Sequence, residues 1–222
     1  ADPAHMHPVD RLQAPGLAAR LAALIAPDRA MGPPAPLTEE VHRDTVLVTA
    51  ADRDGMSVSL IYSIFHSFGA GLASPKFGIL LHNRGAGFTL AAGHPNEAGP
   101  GKRPLHTILP GFLREAGMVM PFGVMGGQYQ ATGHARFVTN IVDYGMDLQA
   151  AIDGPRCFAT DGRLDIERAY PADTRDALAR LGHDVATPAA PIGGAQAIRI
   201  DTARGVMEGA SDPRKDGAAL GW

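Results

Sequence analysis

The chain has 222 residues, a formal net charge of −3 and an apolar fraction of 45%. That is enough to bury the core of one domain, or of one domain with an appendage, and it excludes global disorder. With 20 Lys and Arg against 23 Asp and Glu, there is no electrostatic case for a nucleic-acid or anionic-membrane partner. The single cysteine, Cys157, excludes an intramolecular disulfide framework.

The opening "ADPAHMHPVD" lacks the basic-then-apolar order of a signal peptide, and it reads as a chain begun partway through a longer protein. No run approaches the length of a membrane-spanning helix. Leu17, Leu21, Leu24 and Ile25 recur at helical spacing between Pro15 and Pro27, which predicts a helix within residues 12–30. "AMGPPAPLTEEVHRD" is polar and proline-punctuated, as an exposed linker is. From Thr45 the texture changes. "TVLVTA" and "VSLIYSIF" are β-branched and apolar, joined by "ADRDG", whose Gly55 can take φ > 0; they predict a β-hairpin. "FGILLHN" predicts a third strand, and "TILPGFL" a fourth or a buried turn. "GMVMPFGVM" predicts a strand running into Gly126 and Gly127, followed by a helix from Gln128 to Val142 and a short one from Leu148 to Ile152. "GRLDIE" reads as a strand and "ADTRDALARLG" as a helix with Gly182 in the C-terminal cap. "AQAIRID" and "VMEGASD" read as a closing hairpin around "TARG". Strands, then helices, then strands again favour an α+β layered sandwich over a doubly wound parallel sheet.

Four groups could carry chemistry. The nine histidines include no HExxH, CxxC or Cys/His cluster, so no metal is expected; His5 and His7 read as solvated surface. Cys157 has no nearby activating partner and reads as a small half-buried hydrophobe. The glycine pair in "MGGQYQ" follows a strand and opens a helix. Its N–H groups could converge on an anion or an oxyanion, or the pair could simply make a turn. Thr45 could open a strand for structural reasons alone. If the bond before it were cut, its new α-amino group would lie within reach of its own Oγ and could act as the base that a hydroxyl nucleophile needs.

Taken together, "TVLVTAADRDGMSVSLIYSIFHSFGAGL", "GILLHNRGAGF", "GPGKRPLHTILP", "VMGGQYQ", "IDGPR" and "MEGASDPRKDGAALGW", in that order, resemble the small subunit of the γ-glutamyltransferases, N-terminal nucleophile hydrolases. The resemblance runs from Thr45 to Trp222. It implies a four-layer αββα sandwich and a precursor that cuts itself before a threonine, here at Asp44–Thr45. Residues 1–44 would then be the tail of the large subunit with its linker, and residues 45–222 the catalytic small subunit. Carried over, Thr45 is the nucleophile and its α-amine the general base. Ser63 stands where a supporting threonine hydroxyl stands in the family, and Gly126 and Gly127 form the oxyanion hole. No cofactor is implied.

The departures concern the substrate. Phe65 stands where the family holds a substrate ammonium with asparagine, Arg84 and Gly87 stand where it has glutamine and aspartate, and His106 and Thr107 replace a serine pair. Losing the aspartate removes a counter-charge for an ammonium, while Arg84 adds a cation suited to an acidic group on the acyl portion. Lys102 and Arg103 read as structural. The expectation is a γ-glutamyltransferase-like enzyme acting on a small-molecule amide such as glutathione. The alternatives are an amidase or acylase of altered acyl specificity, or a non-catalytic precursor or fragment. A large subunit of the same precursor is the expected partner, in a heterodimer or higher oligomer. Neither a cytoplasmic nor a periplasmic location is singled out.

Overall fold

The computed structural model describes residues 2–6, 9–32, 45–160 and 162–222. His7, Asp44 and most of the expected linker lie outside them. The chain forms two compact units: one from within 1–39, 84–106 and 157–188, the other from within 40–83, 107–156 and 189–222.

The second unit carries the long strands. The hairpin forms as its sequence predicts, β1 (Thr45–Ala51) against β2 (Ser57–Ser63), antiparallel, with Gly55 at φ 87° in the turn. Asp52 closes that turn by accepting from the N–H groups of Asp54 and Met56. β3 (Pro110–Glu115), β4 (Met118–Met125), β8 (Gly194–Asp201) and β9 (Val206–Ser211) form a four-stranded antiparallel sheet in the order β3-β4-β8-β9. Helices α2 (Tyr129–Val142) and α3 (Leu148–Asp153) pack on this sheet, and the Asp147 side chain caps α3 by accepting from Ala150 N–H.

β4 explains the layering. Its last six residues are all buried, and side chains alternate across the sheet. The Phe122 ring meets Phe137 and His134 of α2, and Val124 lies under Gly133, where a Cβ would come within 2.8 Å of the Val124 side chain. Gly123 and Met125 face the other way. A Cβ on Gly123 would meet Leu47 of β1 at 2.9 Å, and Met125 clusters with Leu47 and Ile61. Helices therefore cover one face of the sheet and the hairpin the other. This is an α+β layered sandwich, as the order of the predicted elements implies.

The first unit holds a three-stranded sheet, β5 (Cys157–Thr160), β6 (Arg163–Ile166) and β7 (Asp184–Ala186). β5 and β6 are antiparallel, whereas β6 and β7 are parallel and joined through α4 (Ala172–Arg180). Gly182 follows α4 at φ 96°, as its capping position requires. Arg175 ties α4 to the sheet by donating to the Ile166 carbonyl and to Thr187 Oγ1.

Two expectations differ from the structure, and two strands arise that were not expected. The helix predicted within 12–30 is a 3₁₀ turn at Val9–Gln13 and a short α1 (Leu17–Ala22), with Leu21, Leu24 and Ile25 exposed. Gly16 enters at φ 76°, and six residues without a buried face cannot sustain a longer helix. "FGILLHN" makes no strand. Backbone bonds fold residues 70–74 onto 79–81 around positive-φ glycines, leaving one bridge, Ala73–Leu80. β5 and β7 escape sequence reading because both are short and take their edges from β6, not from a pattern of their own.

Candidate active site

The hairpin register pairs Thr45 with Ser63, Leu47 with Ile61 and Thr49 with Ser59. Directly opposed residues share a face, so these six side chains lie on the side turned to β4. Ser59 donates to the Phe122 carbonyl at 2.7 Å, and Ile61 and Leu47 sit beside Met125. From one cross-strand pair to the next, the hairpin thus advances along β4 toward its glycine end. Thr45–Ser63 is the last pair in that progression. Thr45 and Ser63 are half-buried. Ser63 Oγ accepts from the Phe65 N–H at 3.0 Å, which binds the returning chain into a tight turn. A cavity of about 770 Å³ opens at this end, lined by Thr45, Ser63, Tyr62, Ile64 and Phe68 among others.

Past Met125 the backbone takes φ 125° at Gly126 and 57° at Gly127. Gly126 must be glycine twice over. Its φ excludes a side chain, and a Cβ would come within 2.9 Å of the Gly193 Cα. The Gly126 and Gly127 carbonyls accept from Tyr129 and Gln130 N–H as α2 begins. N–H and C=O of one peptide point opposite ways, so the Gly127 N–H is turned outward from the helix N-terminus. A concentration of donors there suits an anion or a developing oxyanion.

Two α2 side chains that the sequence does not single out hold the neighbouring backbone. Gln130, almost fully buried, accepts from Leu109 N–H at 3.0 Å. His134 Nε2 accepts from Val124 N–H at 3.1 Å, so its proton sits on Nδ1, toward the Leu109 carbonyl. Burial pushes the His134 imidazole below its ordinary pKa, and the bond to Leu109 only partly opposes this. The segment carrying Thr107 is thereby fixed beside β4.

The remaining predicted residues divide between the units. Phe65 is 1% exposed, at φ 79°, with its ring against His66. It belongs to the second unit with Thr45, Ser63, Thr107, Gly126 and Gly127. Arg84, Gly87 and His106 belong to the first. Arg84 and Gly87 are buried in a 3₁₀ turn (Arg84–Gly87), and His106 is exposed. Asn96, not foreseen, organises this loop by donating to the Gly87 carbonyl and accepting from Leu105 N–H. Arg103 donates through its backbone and guanidinium to Asp2, an attachment within the loop unit. Cys157 is half-buried in β5, its Sγ 3.9 Å from the Tyr170 hydroxyl. Among the described residues no group of three metal-ligating side chains converges, and no helix is long and apolar enough to cross a membrane.

A family model described as Gamma-glutamyltranspeptidase matches residues 1–222. The oxamate amidohydrolase proenzyme of Klebsiella pneumoniae is 38% identical over 189 residues, which are 81% of this chain and 36% of that protein. The solved cephalosporin acylase of Bacillus halodurans superposes with a TM-score of 0.88 at 35% identity, over 100% of this chain and 41% of that one. A mutant of the gamma-glutamyltranspeptidase of Helicobacter pylori superposes with a TM-score of 0.69 at 30% identity, over 76% of this chain and 99% of that one. The chain spans about a third of the length of the curated relatives it matches.

Proposed function

The chain belongs to the gamma-glutamyltranspeptidase family, and from that premise we propose that it hydrolyses an amide, or passes its acyl group to an acceptor amine, with Thr45 as the nucleophile. The observation that carries this reading is the pairing of Thr45 with Ser63 at the end of the hairpin that lies along β4 toward Gly126 and Gly127. Cleavage of Asp44–Thr45 frees the Thr45 α-amine. That amine takes the proton of Oγ as Oγ attacks the amide carbon. Ser63, one strand away, holds the amine in place. The tetrahedral oxyanion is met by N–H groups of the Gly126–Gly127 pair, as its placement at the start of α2 supports. The amine returns the proton to the leaving nitrogen, and the C–N bond breaks. Water or an acceptor amine then releases the acyl group from Oγ.

In this reading residues 45–222 are the small subunit, and residues before Thr45 end the large one. The near-complete cover of the Helicobacter pylori chain by about three quarters of this one supports that division. The large subunit is the partner. Val46, Val48, Val58, Leu60 and Tyr62 form an exposed apolar face on the side of the hairpin turned away from β4, a surface suited to a cover from the same precursor.

A second reading, in which the acyl group is not γ-glutamyl, is favoured by Phe65. A ring that is 1% exposed offers no polar contact to an ammonium. The experiment compares γ-glutamyl anilide with glutaryl anilide on wild type and Thr45→Ala, with intact mass recorded for each protein. The expected result is a wild-type fragment beginning at Thr45, faster turnover of the glutaryl substrate, and neither cleavage nor turnover in Thr45→Ala. Turnover surviving in Thr45→Ala removes the threonine from the mechanism. A wild-type preference for the γ-glutamyl anilide removes the second reading alone, and a wild type that stays uncut and inert marks a non-catalytic chain.

A further inference from the structure

The most deeply buried charges in the second unit lie outside the steps described so far. Arg156 is 2% exposed and Asp212 1%. Their side chains meet at 2.5 Å, Arg156 Nη2 to Asp212 Oδ2. The Asp212 carboxylate is saturated. Oδ2 also accepts from Ala195 N–H at 2.7 Å, and Oδ1 accepts from Arg214 N–H at 2.9 Å and from Arg214 Nη1 at 3.3 Å. Arg156 also donates to backbone, from Nη1 to the Ile192 carbonyl at 2.8 Å and from Nη2 to the Ile152 carbonyl at 3.2 Å. Arg214 adds bonds to the carbonyls of Ile152, Asp153 and Gly154.

Burying two opposite charges often contributes little to stability compared with apolar residues of the same volume. What this pair does contribute is placement. The segment Ile192–Ala195 is gripped at one end through the Ile192 carbonyl and at the other through Ala195 N–H, which is also reciprocated by Asp212 N–H donating to the Ala195 carbonyl at 3.1 Å. Between those grips lies Gly193, at φ 63°. A Cβ on Gly193 would come within 2.4 Å of the Met125 carbonyl oxygen, and one on Gly126 within 2.9 Å of the Gly193 Cα. Gly193 is therefore the floor against which the Met125–Gly126 backbone rests. Gly194, paired in register with Met125, is crowded instead by the Lys215 side chain, whose Cγ would lie 2.6 Å from an added Cβ.

We propose that the Arg156–Asp212 ion pair is a positioning device for the Gly126–Gly127 donors: it clamps Ile192–Ala195, and through Gly193 sets where the oxyanion-binding N–H groups point. The inference rests on the proposed reading of Gly126 and Gly127. It assigns a task to the two motifs, "IDGPR" and "GASDPRKDG", whose charges no catalytic step uses. A displaced oxyanion donor weakens transition-state binding and leaves ground-state binding nearly untouched.

The test uses the full-length protein, with whichever of the γ-glutamyl and glutaryl anilides the wild type turns over faster, and rates normalised to the fraction beginning at Thr45. Asp212→Asn keeps the volume and removes the charge. Gly193→Ala disturbs the same contact from the other side and leaves the ion pair in place. Each is expected to lower kcat about ten- to a hundredfold with KM within about twofold, and the double variant to lose less than the product of the two, because both act through one contact. Arg156→Lys, which keeps a cation, is expected to fall less far than Arg156→Met. A folded Asp212→Asn, judged by circular dichroism, with wild-type kcat overturns the inference. So do losses that appear in KM, or losses in the double variant that multiply. If Asp212→Asn does not fold, Gly193→Ala decides alone, and wild-type kcat there overturns the inference too. Thr45→Ala separates the two levels. Activity surviving in that variant sinks the functional reading and this inference together, whereas an inert Thr45→Ala beside a fully active Asp212→Asn sinks only the positioning role.

Discussion

The β1–β2 hairpin and β4 both carry many apolar residues, yet they end in different surroundings. β4 is enclosed on both faces, by Phe137 and His134 of α2 on one side and by Leu47 of the hairpin on the other. The hairpin is enclosed on one face only. Leu47 and Ile61 are buried, while Val46, Val48, Val58, Leu60 and Tyr62 stay open. An antiparallel strand with one wet face normally alternates apolar with polar. This hairpin alternates with the sense reversed: Thr45, Thr49, Ser57, Ser59 and Ser63 share the face toward β4, while Val46, Val48, Val58, Leu60 and Tyr62 face away, so its outer face has the composition of a surface made to be covered. The proposed catalytic pair sits on the covered face, where β4 hands the chain to Gly126.

The largest way to break this comparison is at the enclosed end of β4. Gly126→Ala forces a side chain into φ 125° and against Gly193, and kcat is expected to fall by about a hundredfold or more, measured on processed protein. A wild-type rate there would take the glycine pair out of the site. Leu47→Ala attacks the seam between the two regions. It empties the space over Gly123 and is expected to destabilise by about 2–5 kcal/mol in a urea melt. A much smaller loss would mean that the hairpin does not depend on β4.

His134 sharpens the comparison through pH. Its folded pKa is held down by burial, so the unfolded chain takes up the proton first. Its contribution to stability is complete above the unfolded pKa of about 6.5 and is lost as pH falls through that value toward the folded one. The wild-type melting temperature is expected to drop between pH 7 and 5 more steeply than that of His134→Gln, and parallel slopes would contradict the assignment. The smallest effect belongs to the open face. Leu60→Ser is expected to shift the stability of the 222-residue chain by no more than about 0.5 kcal/mol. It should lower that of the full-length protein by about 1–3 kcal/mol, as for a buried leucine. Equal small shifts in both would show that nothing covers the hairpin there.

Much of this was readable before any coordinates. The turn at Gly55, the strand running into Gly126, the helix that follows and the closing hairpin all rest on local rules, namely alternation, helical periodicity and glycine punctuation. Each formed within a residue or two of its expected bounds. The failures have local causes too. Leu21, Leu24 and Ile25 keep helical spacing but have no surface to bury against. Ile79 to Leu81 are strand-like residues interrupted by Gly78 at φ 65°. In the proposed site, Thr45, Ser63 and the glycine pair could be singled out from sequence because they lie on such elements. Asn96, Gln130 and His134 could not, since each acts by reaching a backbone group that is remote or on another element.

Sequence alone settles the first hairpin, β4, α2 and the closing hairpin and, through the order of its motifs, the family, because these depend on neighbours a few residues apart. It also exposes the substitutions at Phe65, Arg84 and Gly87, which need only a position to be noticed. Tertiary structure alone decides that Thr45 and Ser63 share one face toward β4, and that Phe65 is turned into the interior. It alone joins Arg156 to Asp212 across 56 positions and sets Gly193 beneath Gly126. Those outcomes depend on strand register and on which distant backbone groups accept a buried charge, and neither is written in any local stretch of chain.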